Sequence, residues 1–295
     1  MKQQPALNFL IPLIAILAAA AALAGLFVQG GEGPSVFTTL HGQTANIYGW
    51  GLYRFDTALF ATIFKGTDVI TLVVSIPLLI IAFVLYRRNL LRGGLLLLSA
   101  LPYFIYIGAS MTFSAAFNSA FLLYVALLSV SFFTFLTVLG RIDASILPRH
   151  VLPGFPHRGL AIFSFVAGLG TLFLWLSEIV GPLLTGSAPT NLGPYTTMYT
   201  HGFDSAIITP GLILTGIFLL QRKPAGYLFI APLLVFCAET GFTVISGTIF
   251  QTLAGIIFPI GVYIGMIGSW VVMGAFAIGL VIRYFRKISE TAQSQ

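Results

Sequence analysis

Charged residues are scarce in this chain. Of its 295 residues only 7% are Asp, Glu, Lys or Arg, and 58% are hydrophobic, whereas a typical soluble domain has about 25% charged residues. No soluble core needs so much apolar side chain over this length, so the composition indicates a protein that crosses a membrane several times. The formal net charge of +6 does not indicate nucleic-acid binding, because the basic residues form short clusters between apolar runs.

Cysteine and the common catalytic motifs are also nearly absent. Cys237 is the only cysteine and lies inside an apolar run, which excludes a disulfide framework, a CxxC relay and a cysteine metal site. The chain has no Walker loop, no GxGxxG, no GxSxG, and none of the histidine spacings HxxxH or HExxH. We therefore expect no cofactor and no metal, and no motif identifies an enzyme class.

What the sequence does contain is eight apolar runs long enough to cross a bilayer, which takes about 20 helical residues. A helix is expected in each run because it satisfies its own backbone hydrogen bonds in hydrocarbon. The sequence thus predicts an all-α membrane protein with eight transmembrane helices. The runs are 8–29, 69–86, 94–114, 118–140, 159–183, 205–221, 225–249 and 255–284.

The first run could also be a signal peptide. The small residues ALAG at 22–25 resemble a cleavage site, and cleavage there would leave seven helices. The run is long for a signal sequence, however, and only Lys2 precedes it. We therefore interpret it as a retained first helix.

The distribution of lysine and arginine predicts the orientation. If the N-terminus is cytoplasmic, all 14 basic residues except Arg54 and Lys65 fall in cytoplasmic segments. The opposite orientation would place nearly all of them outside. We therefore expect a multi-pass protein of the cell inner membrane, the plasma membrane, with both termini in the cytoplasm.

Two segments resemble each other and indicate a duplication. KGTDVITLVVSIP begins at Lys65 and HGFDSAIITP at His201; each has a glycine, an aspartate and then an apolar span with a proline that ends in a basic pair. The units would be residues 1–140 and 159–295, two parallel four-helix repeats joined by a cytoplasmic linker, 141–158. Parallel repeats place a shared site at the interface between the halves.

A further helix is predicted before the second run. In LYRFDTALFATIFK, residues 52–65, several apolar side chains would share one helical face. This pattern predicts a short helix near 50–65 that lies in the outer membrane interface. The apolar residues are Leu52, Phe55, Leu59 and Ile63.

Glu239 is the most unusual residue of the apolar runs. It lies in LVFCAETGFTVIS, residues 234–246, with mostly apolar neighbours on both sides. A charged carboxylate near the bilayer centre costs about 3 kcal/mol on insertion scales, so it must have a partner, face water or carry a proton. Such a group suits proton-coupled transport or acid–base catalysis. The alternative is a protonated glutamate that only hydrogen-bonds a neighbouring helix.

Three more ionisable residues are candidates for proton coupling or acid–base chemistry. Glu178 lies about two turns before the outer end of the fifth run, Asp204 begins the sixth, and His201 precedes Asp204 by three residues. A His–Asp couple at this spacing could share one helical face. The alternatives are that Glu178 is a solvated rim carboxylate and that Asp68 and Asp204 only cap helix N-termini.

Five residues are candidates for substrate binding. Tyr103 and Tyr106 lie one turn apart after a proline, which frees backbone groups. Asn118 and Asp68 are polar groups in or beside apolar runs, and Arg54 could hold an anionic group. The alternatives are tyrosines that bond neighbouring helices and an arginine that snorkels at the interface.

These residues predict an integral membrane transporter, coupled to protons, for a small or amphipathic solute. Glu239 would be the coupling carboxylate, because the acids spread along the spans and form no tight triad. The alternatives are a membrane-embedded enzyme acting on a lipid, isoprenoid or quinone, and a non-catalytic subunit of a membrane complex. The expected partners are the lipid bilayer and a small solute or lipid-like ligand; a second copy or another membrane protein could also pack against it.

Overall fold

Eight helices of the computed structural model, which describes residues 5–292, are long and apolar enough to cross a membrane. This finding confirms the prediction of a mostly helical, multi-pass protein with eight candidate spans. Lys2, which entered the predictions from sequence, lies outside the described residues. The helices are α1 (Leu7–Phe27), α2 (Ala58–Arg87), α3 (Leu91–Phe113), α4 (Phe121–Leu139), α5 (His157–Thr185), α6 (Tyr199–Leu220), α7 (Pro224–Leu253) and α8 (Ile260–Arg286).

The connections between the helices form two ends of the bundle. One carries an antiparallel pair of strands, β1 (Ser35–Thr38) and β2 (Thr44–Ile47), and is called the hairpin end. The other, called the basic end, contains a short 3-10 helix, Ala144–His150. The hairpin end comprises residues 28–57, 114–120, 186–198 and 254–259, and the basic end residues 88–90, 140–156, 221–223 and 287–292.

The centre of the bundle is formed by α3 and α7, which are the most buried of the eight helices. Both pack on α2 and on each other, and their apolar side chains dominate the main core cluster. Glycines bring some backbones together: Gly241 of α7 lies against Gly274 of α8, where any Cβ would be crowded. In contrast, most of α8 is exposed, and it packs mainly on α7.

A carboxylate from the chain end fixes the start of α3. Glu290 accepts hydrogen bonds from the backbone N–H groups of Leu91 (2.6 Å) and Arg92 (3.2 Å). These N–H groups have no partner within the helix, and a negative charge is favourable at a helix N-terminus. The segment after α8 therefore holds one end of the central helix.

The second span differs from its prediction, because α2 begins at Ala58 and not near residue 69. The separate interfacial helix near 50–65 is therefore wrong: residues 51–56 form turns, and residues 58–65 are the first two turns of α2. Thr57 starts the helix, since its side chain accepts a hydrogen bond from Phe60 N at 3.3 Å, as an N-cap does.

The same finding changes the interpretation of both aspartates. Asp68 lies in the third turn of α2, and Asp204 lies five residues after the start of α6 at Tyr199. Neither is at a helix N-terminus, so the alternative that they act only as caps is wrong. Their carboxyl groups are instead buried in the bundle, at 4% exposure each.

Three helices contain a π-helical segment: Thr71–Ser75 in α2, Asp204–Ile208 in α6 and Tyr263–Ile267 in α8. In α2 and α6 a proline, Pro77 or Pro210, follows the segment by two residues. A proline ring clashes with the carbonyl four residues earlier, which here lies inside the π segment, and the wider turn relieves that clash. Such segments are frequent at functional sites.

Candidate functional site

Glu239 lies halfway along α7 and is 2% exposed. Neither of its carboxylate oxygens has a hydrogen-bond partner among the described residues. On α2, Ser75 interacts with Glu239, and its own hydroxyl is buried with no hydrogen-bond partner among the described residues. Unpaired polar atoms in the interior are costly, which makes this pair unusual.

The crossing of α2 and α7 explains why Glu239 and Ser75 meet. Gly66 of α2 lies against the backbone of Gly247 of α7, so closely that no Cβ would fit there. The two helices run antiparallel; Ser75 lies nine residues after Gly66, and Glu239 lies eight residues before Gly247. At about 1.5 Å per residue, both side chains are about 12–14 Å from the crossing and hence at the same level.

Tyr103 of α3 lies next to Glu239 and Ser75. Its hydroxyl lies 3.0 Å from Thr71 Oγ1 and 3.3 Å from the carbonyl oxygen of Thr67. It also interacts electrostatically with Ser75 and Glu239. Tyr103 therefore connects the hydroxyl groups of α2 with the carboxyl group of α7.

Asp68 lies on α2 in a pocket between the first four helices, called the Asp68 pocket. Its Oδ2 accepts a hydrogen bond of 2.9 Å from the Tyr53 hydroxyl, and Lys65 acts on it electrostatically. Gly25 of α1 packs directly on the carboxyl group, so that a Cβ there would overlap it. The free space is about the size of one water molecule. The lining residues are Ala18, Ala21, Ala22, Thr67, Asp68, Thr71, Ile107, Met111, Tyr124 and Leu127.

The second aspartate belongs to a cluster around Trp175 of α5, called the Trp175 cluster: Trp175, Glu178, His201 and Asp204. Trp175 Nε1 donates a hydrogen bond of 3.0 Å to Asp204 Oδ2. His201 Nε2 lies 3.1 Å from Glu178 Oε2, and the His201 ring lies over the indole with 3.9 Å between ring centroids. The cluster thus brings three ionisable groups together through one tryptophan.

Asp204 also faces a pocket, called the Asp204 pocket, that the last four helices and α3 line. Tyr106 contributes from α3 and interacts with Asp204, while Cys237 and Thr240 contribute from α7. Like the Asp68 pocket, it has free space for about one water molecule. The remaining lining residues are Thr171, Ile208, Leu212, Phe236, Trp270 and Met273.

Of the four residues predicted to act in proton coupling or catalysis, the structure brings three together. His201, Glu178 and Asp204 belong to one cluster, whereas Glu239 lies apart and faces α2. The helix geometry gives the reason: Cys237 and Glu239 are two residues apart on α7, hence about 200° apart around its axis. Cys237 faces the Asp204 pocket, so Glu239 faces the opposite side.

The five predicted substrate ligands separate in the same way. Tyr103 lies beside Glu239, Asp68 lines its own pocket and Tyr106 faces Asp204. Asn118 does not lie in a span: its Nδ2 donates to Ala116 O at 3.2 Å and its Oδ1 accepts from Ala120 N at 3.0 Å, which stabilises the turn between α3 and α4.

Arg54, the fifth predicted ligand, is exposed at the hairpin end. Its guanidinium lies over the ring of the neighbouring Phe55, 4.9 Å from the centroid. It does not line the Asp68 pocket or the Asp204 pocket. This position favours the alternative of an arginine that rests at the membrane interface.

Sequence reasoning did not identify the hydroxyl groups of α2 as part of a site. Thr67, Thr71 and Ser75 recur at every fourth position, which places them along one side of a helix. That spacing was a usable signal, but it falls partly outside the predicted second span. Trp175 was also missed, because a tryptophan in an apolar run has no distinctive pattern.

Asp56 connects three segments at the hairpin end, outside the spans. It is fully buried, and its Oδ1 accepts hydrogen bonds from Ala116 N (2.8 Å) and the Tyr195 hydroxyl (3.1 Å). Burial raises the pKa of Asp56 to about 7, although these two hydrogen bonds act in the opposite direction. Its protonation state therefore changes near neutral pH.

In comparisons with known proteins, no family model matches the chain, and no curated protein or solved structure matches it either. Within residues 5–292, no three His, Cys, Asp or Glu side chains lie close enough to hold a metal ion. The basis for a functional conclusion is therefore the geometry of the buried carboxyl groups.

Proposed function

We propose that this protein is a proton-coupled secondary transporter of a small or amphipathic solute, with Glu239 as the carboxyl group that takes up and releases the proton. The observation that supports this most is the position of Glu239: buried at the middle of α7, with both oxygens free of hydrogen bonds to the described residues. Glu239 takes no part in the ion pairs Arg92–Glu290 and His201–Glu178. A permanent charge there would be costly, so Glu239 is neutral at rest and ionises when water reaches it.

Two parallel repeats are part of the proposal, and the two pockets support them. Each half contributes one buried aspartate that accepts a hydrogen bond from an aromatic donor of the same half, Tyr53 or Trp175. In each half the fourth helix contributes an aromatic residue and a second residue three positions later, Tyr124 with Leu127 and Trp270 with Met273. The halves meet where α2 and α3 pack on α7, which is where Glu239 lies and where parallel repeats place a shared site.

The proposed orientation puts the basic end in the cytoplasm of a cell whose inner membrane holds the protein. The pockets are too small for a solute, so this conformation corresponds to an occluded carrier. Transport then requires the halves to separate along the contact between α2 and α7. The π segment Thr71–Ser75 supports such a movement, because it is an irregular turn at the level of Glu239.

Thiol accessibility tests the proposal without knowledge of the solute. In a Cys237→Ser background, a single cysteine replaces Ser75, which faces Glu239, or Val73, which is 62% exposed on the lipid side of the same helix. In proteoliposomes with a pH gradient, a membrane-impermeant thiol reagent is added from either side. We expect Ser75→Cys to react from both sides, with a preference that reverses with the gradient, and Val73→Cys to react from neither.

Adding Glu239→Gln should fix the Ser75→Cys reaction to one side whatever the gradient. Reaction from one side only in the parent protein, or unchanged switching in Glu239→Gln, would contradict the transporter. Reaction from one side only is what an enzyme with a fixed cavity, open to one leaflet, would give.

The second candidate is a membrane-embedded enzyme acting on a lipid-like substrate. The Trp175 cluster favours it, since His201, Glu178 and Asp204 are gathered as acid–base chemistry requires. Lipids extracted from proteoliposomes with and without the protein, and compared by mass spectrometry, test this candidate. A product that disappears in His201→Gln, while thiol switching is absent, would favour the enzyme.

A further inference from the structure

We propose that α2 contains a proton relay that connects Glu239, at the centre of the bundle, with Asp68, nearer to the hairpin end. The inference rests on the proposed function and extends it by giving the proton a route. Its members are Glu239, Ser75, Tyr103, Thr71, one water molecule in the Asp68 pocket, and Asp68.

The relay begins at Glu239 and Ser75. Three buried oxygen atoms, two of Glu239 and one of Ser75, have no hydrogen-bond partner among the described residues. A proton on Glu239 satisfies part of this deficit, because the carboxyl group then donates a hydrogen bond to the facing hydroxyl. The Tyr103 hydroxyl lies beside both groups and continues the path.

The middle of the relay is a set of hydroxyl groups in contact. Tyr103 and Thr71 are 3.0 Å apart, and Thr71 Oγ1 lies 2.9 Å from the carbonyl oxygen of Thr67. A hydroxyl group donates one hydrogen bond and accepts two, so it can take a proton on one side and release another on the other side. Tyr103 is 2% and Thr71 2% exposed, so bulk water does not replace them.

The last link is the Asp68 pocket. Thr71, Asp68 and Tyr124 line it, and the Tyr124 hydroxyl is buried without a partner among the described residues. A buried water needs two to four polar partners and a space of its own size, and this pocket offers both. Such a water bridges Thr71 to Asp68, whose other contacts are the Tyr53 hydroxyl and the electrostatic attraction of Lys65.

The transfer is balanced. Glu239 gives up one proton and becomes a carboxylate, Asp68 gains one proton and becomes a carboxylic acid, and each hydroxyl and the water keep their number of protons. Tyr53, at 0% exposure, then connects Asp68 with the turns of the hairpin end. The relay therefore runs towards the hairpin end and bypasses the Asp204 pocket, which Tyr106 and Cys237 face instead.

The test is hydrogen–deuterium exchange of the Glu239 carboxyl group, followed by infrared spectroscopy of the protein in lipid bilayers. The C=O band lost in Glu239→Gln identifies the group. We expect Thr71→Val and Tyr103→Phe to slow its exchange about tenfold or more, as when a missing link adds at least about 1.4 kcal/mol to the barrier. Thr71→Ser, which keeps the hydroxyl, should exchange like the wild type.

Two matched variants control for packing. Tyr86→Phe removes a buried tyrosine hydroxyl from α2 and Thr134→Val removes a buried hydroxyl from α4, and neither hydroxyl has a hydrogen-bond partner among the described residues. Both should exchange at the wild-type rate. Wild-type rates in Thr71→Val and Tyr103→Phe, or equal slowing in Tyr86→Phe, would overturn the relay alone. Absence of any band that depends on Glu239 would overturn the proposed function as well.

Discussion

Each half of the chain contributes one buried aspartate, and the two aspartates have different surroundings. Asp68 is enclosed: α1 packs along α4, Gly25 covers the carboxyl group, and the single donor, Tyr53, comes from the hairpin end. Asp204 is in a more open half, because α5 has little contact with α8, and its donor Trp175 also contacts the His201–Glu178 pair. In the proposed relay the proton passes through the enclosed Asp68 and not through the more open surroundings of Asp204.

The largest expected effect separates the two aspartates. Asp68→Asn should slow proton influx about 100-fold, the scale at which a missing acid–base group acts, because the relay loses the carboxyl group that takes up and gives on the proton at its hairpin end. Asp204→Asn should leave it nearly unchanged. Influx is measured with pyranine trapped in proteoliposomes under a potassium diffusion potential. Equal loss in both variants would remove the distinction between the halves.

The contact between the halves at the hairpin end should depend on pH through Asp56. Its folded-state pKa, about 7, is above the unfolded value of about 3.9, so the folded state binds the proton more tightly. The resulting stability is fully present below about pH 4, falls as pH rises towards 7 by up to about 1.4 kcal/mol per unit, and is constant above it. Unfolding of wild type and Asp56→Asn in detergent from pH 4 to 9 measures this; parallel curves would contradict it.

The next smaller effect is expected from a side chain inserted against Asp68. Gly25→Leu inserts a side chain against Asp68 and Tyr53 and should cost about 1–3 kcal/mol of folding free energy. Gly170→Leu on α5 is the matched control, since nothing lies within 4 Å of the added Cβ. Thermal unfolding in detergent measures both. A control that loses as much stability would show that the cost does not come from the contact with Asp68 and Tyr53.

The smallest effects concern the donors. Tyr53→Phe leaves Asp68 Oδ2 without its hydrogen bond and should cost about 1–2 kcal/mol of folding free energy. Trp175→Phe removes the bond to Asp204 and also reduces the contact with His201, so the loss should be somewhat larger. Unfolding in detergent measures both variants. A Tyr53→Phe protein as stable as the wild type would mean that Asp68 finds another partner.

The sequence was sufficient for the spans but not for their partners. Eight apolar runs predicted eight helices because hydrocarbon leaves the backbone no alternative. The start of α2 was missed, since Lys65, Gly66 and Thr67 were interpreted as a break between a separate interfacial helix and the second run. Packing of Gly66 on Gly247 and the Thr57 cap make the helix continuous from Ala58. Local pattern carries no information on such contacts between distant segments.

The candidate site, too, could be predicted from the sequence only in part. That Glu239 is out of place in an apolar run is visible from its neighbours alone. That it faces Ser75, and not Asp204, depends on the register of two antiparallel helices and on a π segment, neither of which a run of apolar residues specifies. His201 and Asp204 were expected to share one helical face; in the structure each contacts Trp175, which comes from another helix, and His201 pairs with Glu178.

The contact between Gly66 and Gly247 is a point about which α2 and α7 can tilt relative to each other. At Gly66 no side chain lies between the helices, because the backbone of Gly247 occupies the place of a Cβ. The Glu239 carboxyl group and Ser75 lie about 12 Å from this contact along their helices. A tilt of about 10° therefore moves one past the other by about 2 Å. That displacement is enough to break a hydrogen bond. A small change in the angle between α2 and α7 thus separates Glu239 from Ser75, while Gly66 and Gly247 stay in contact.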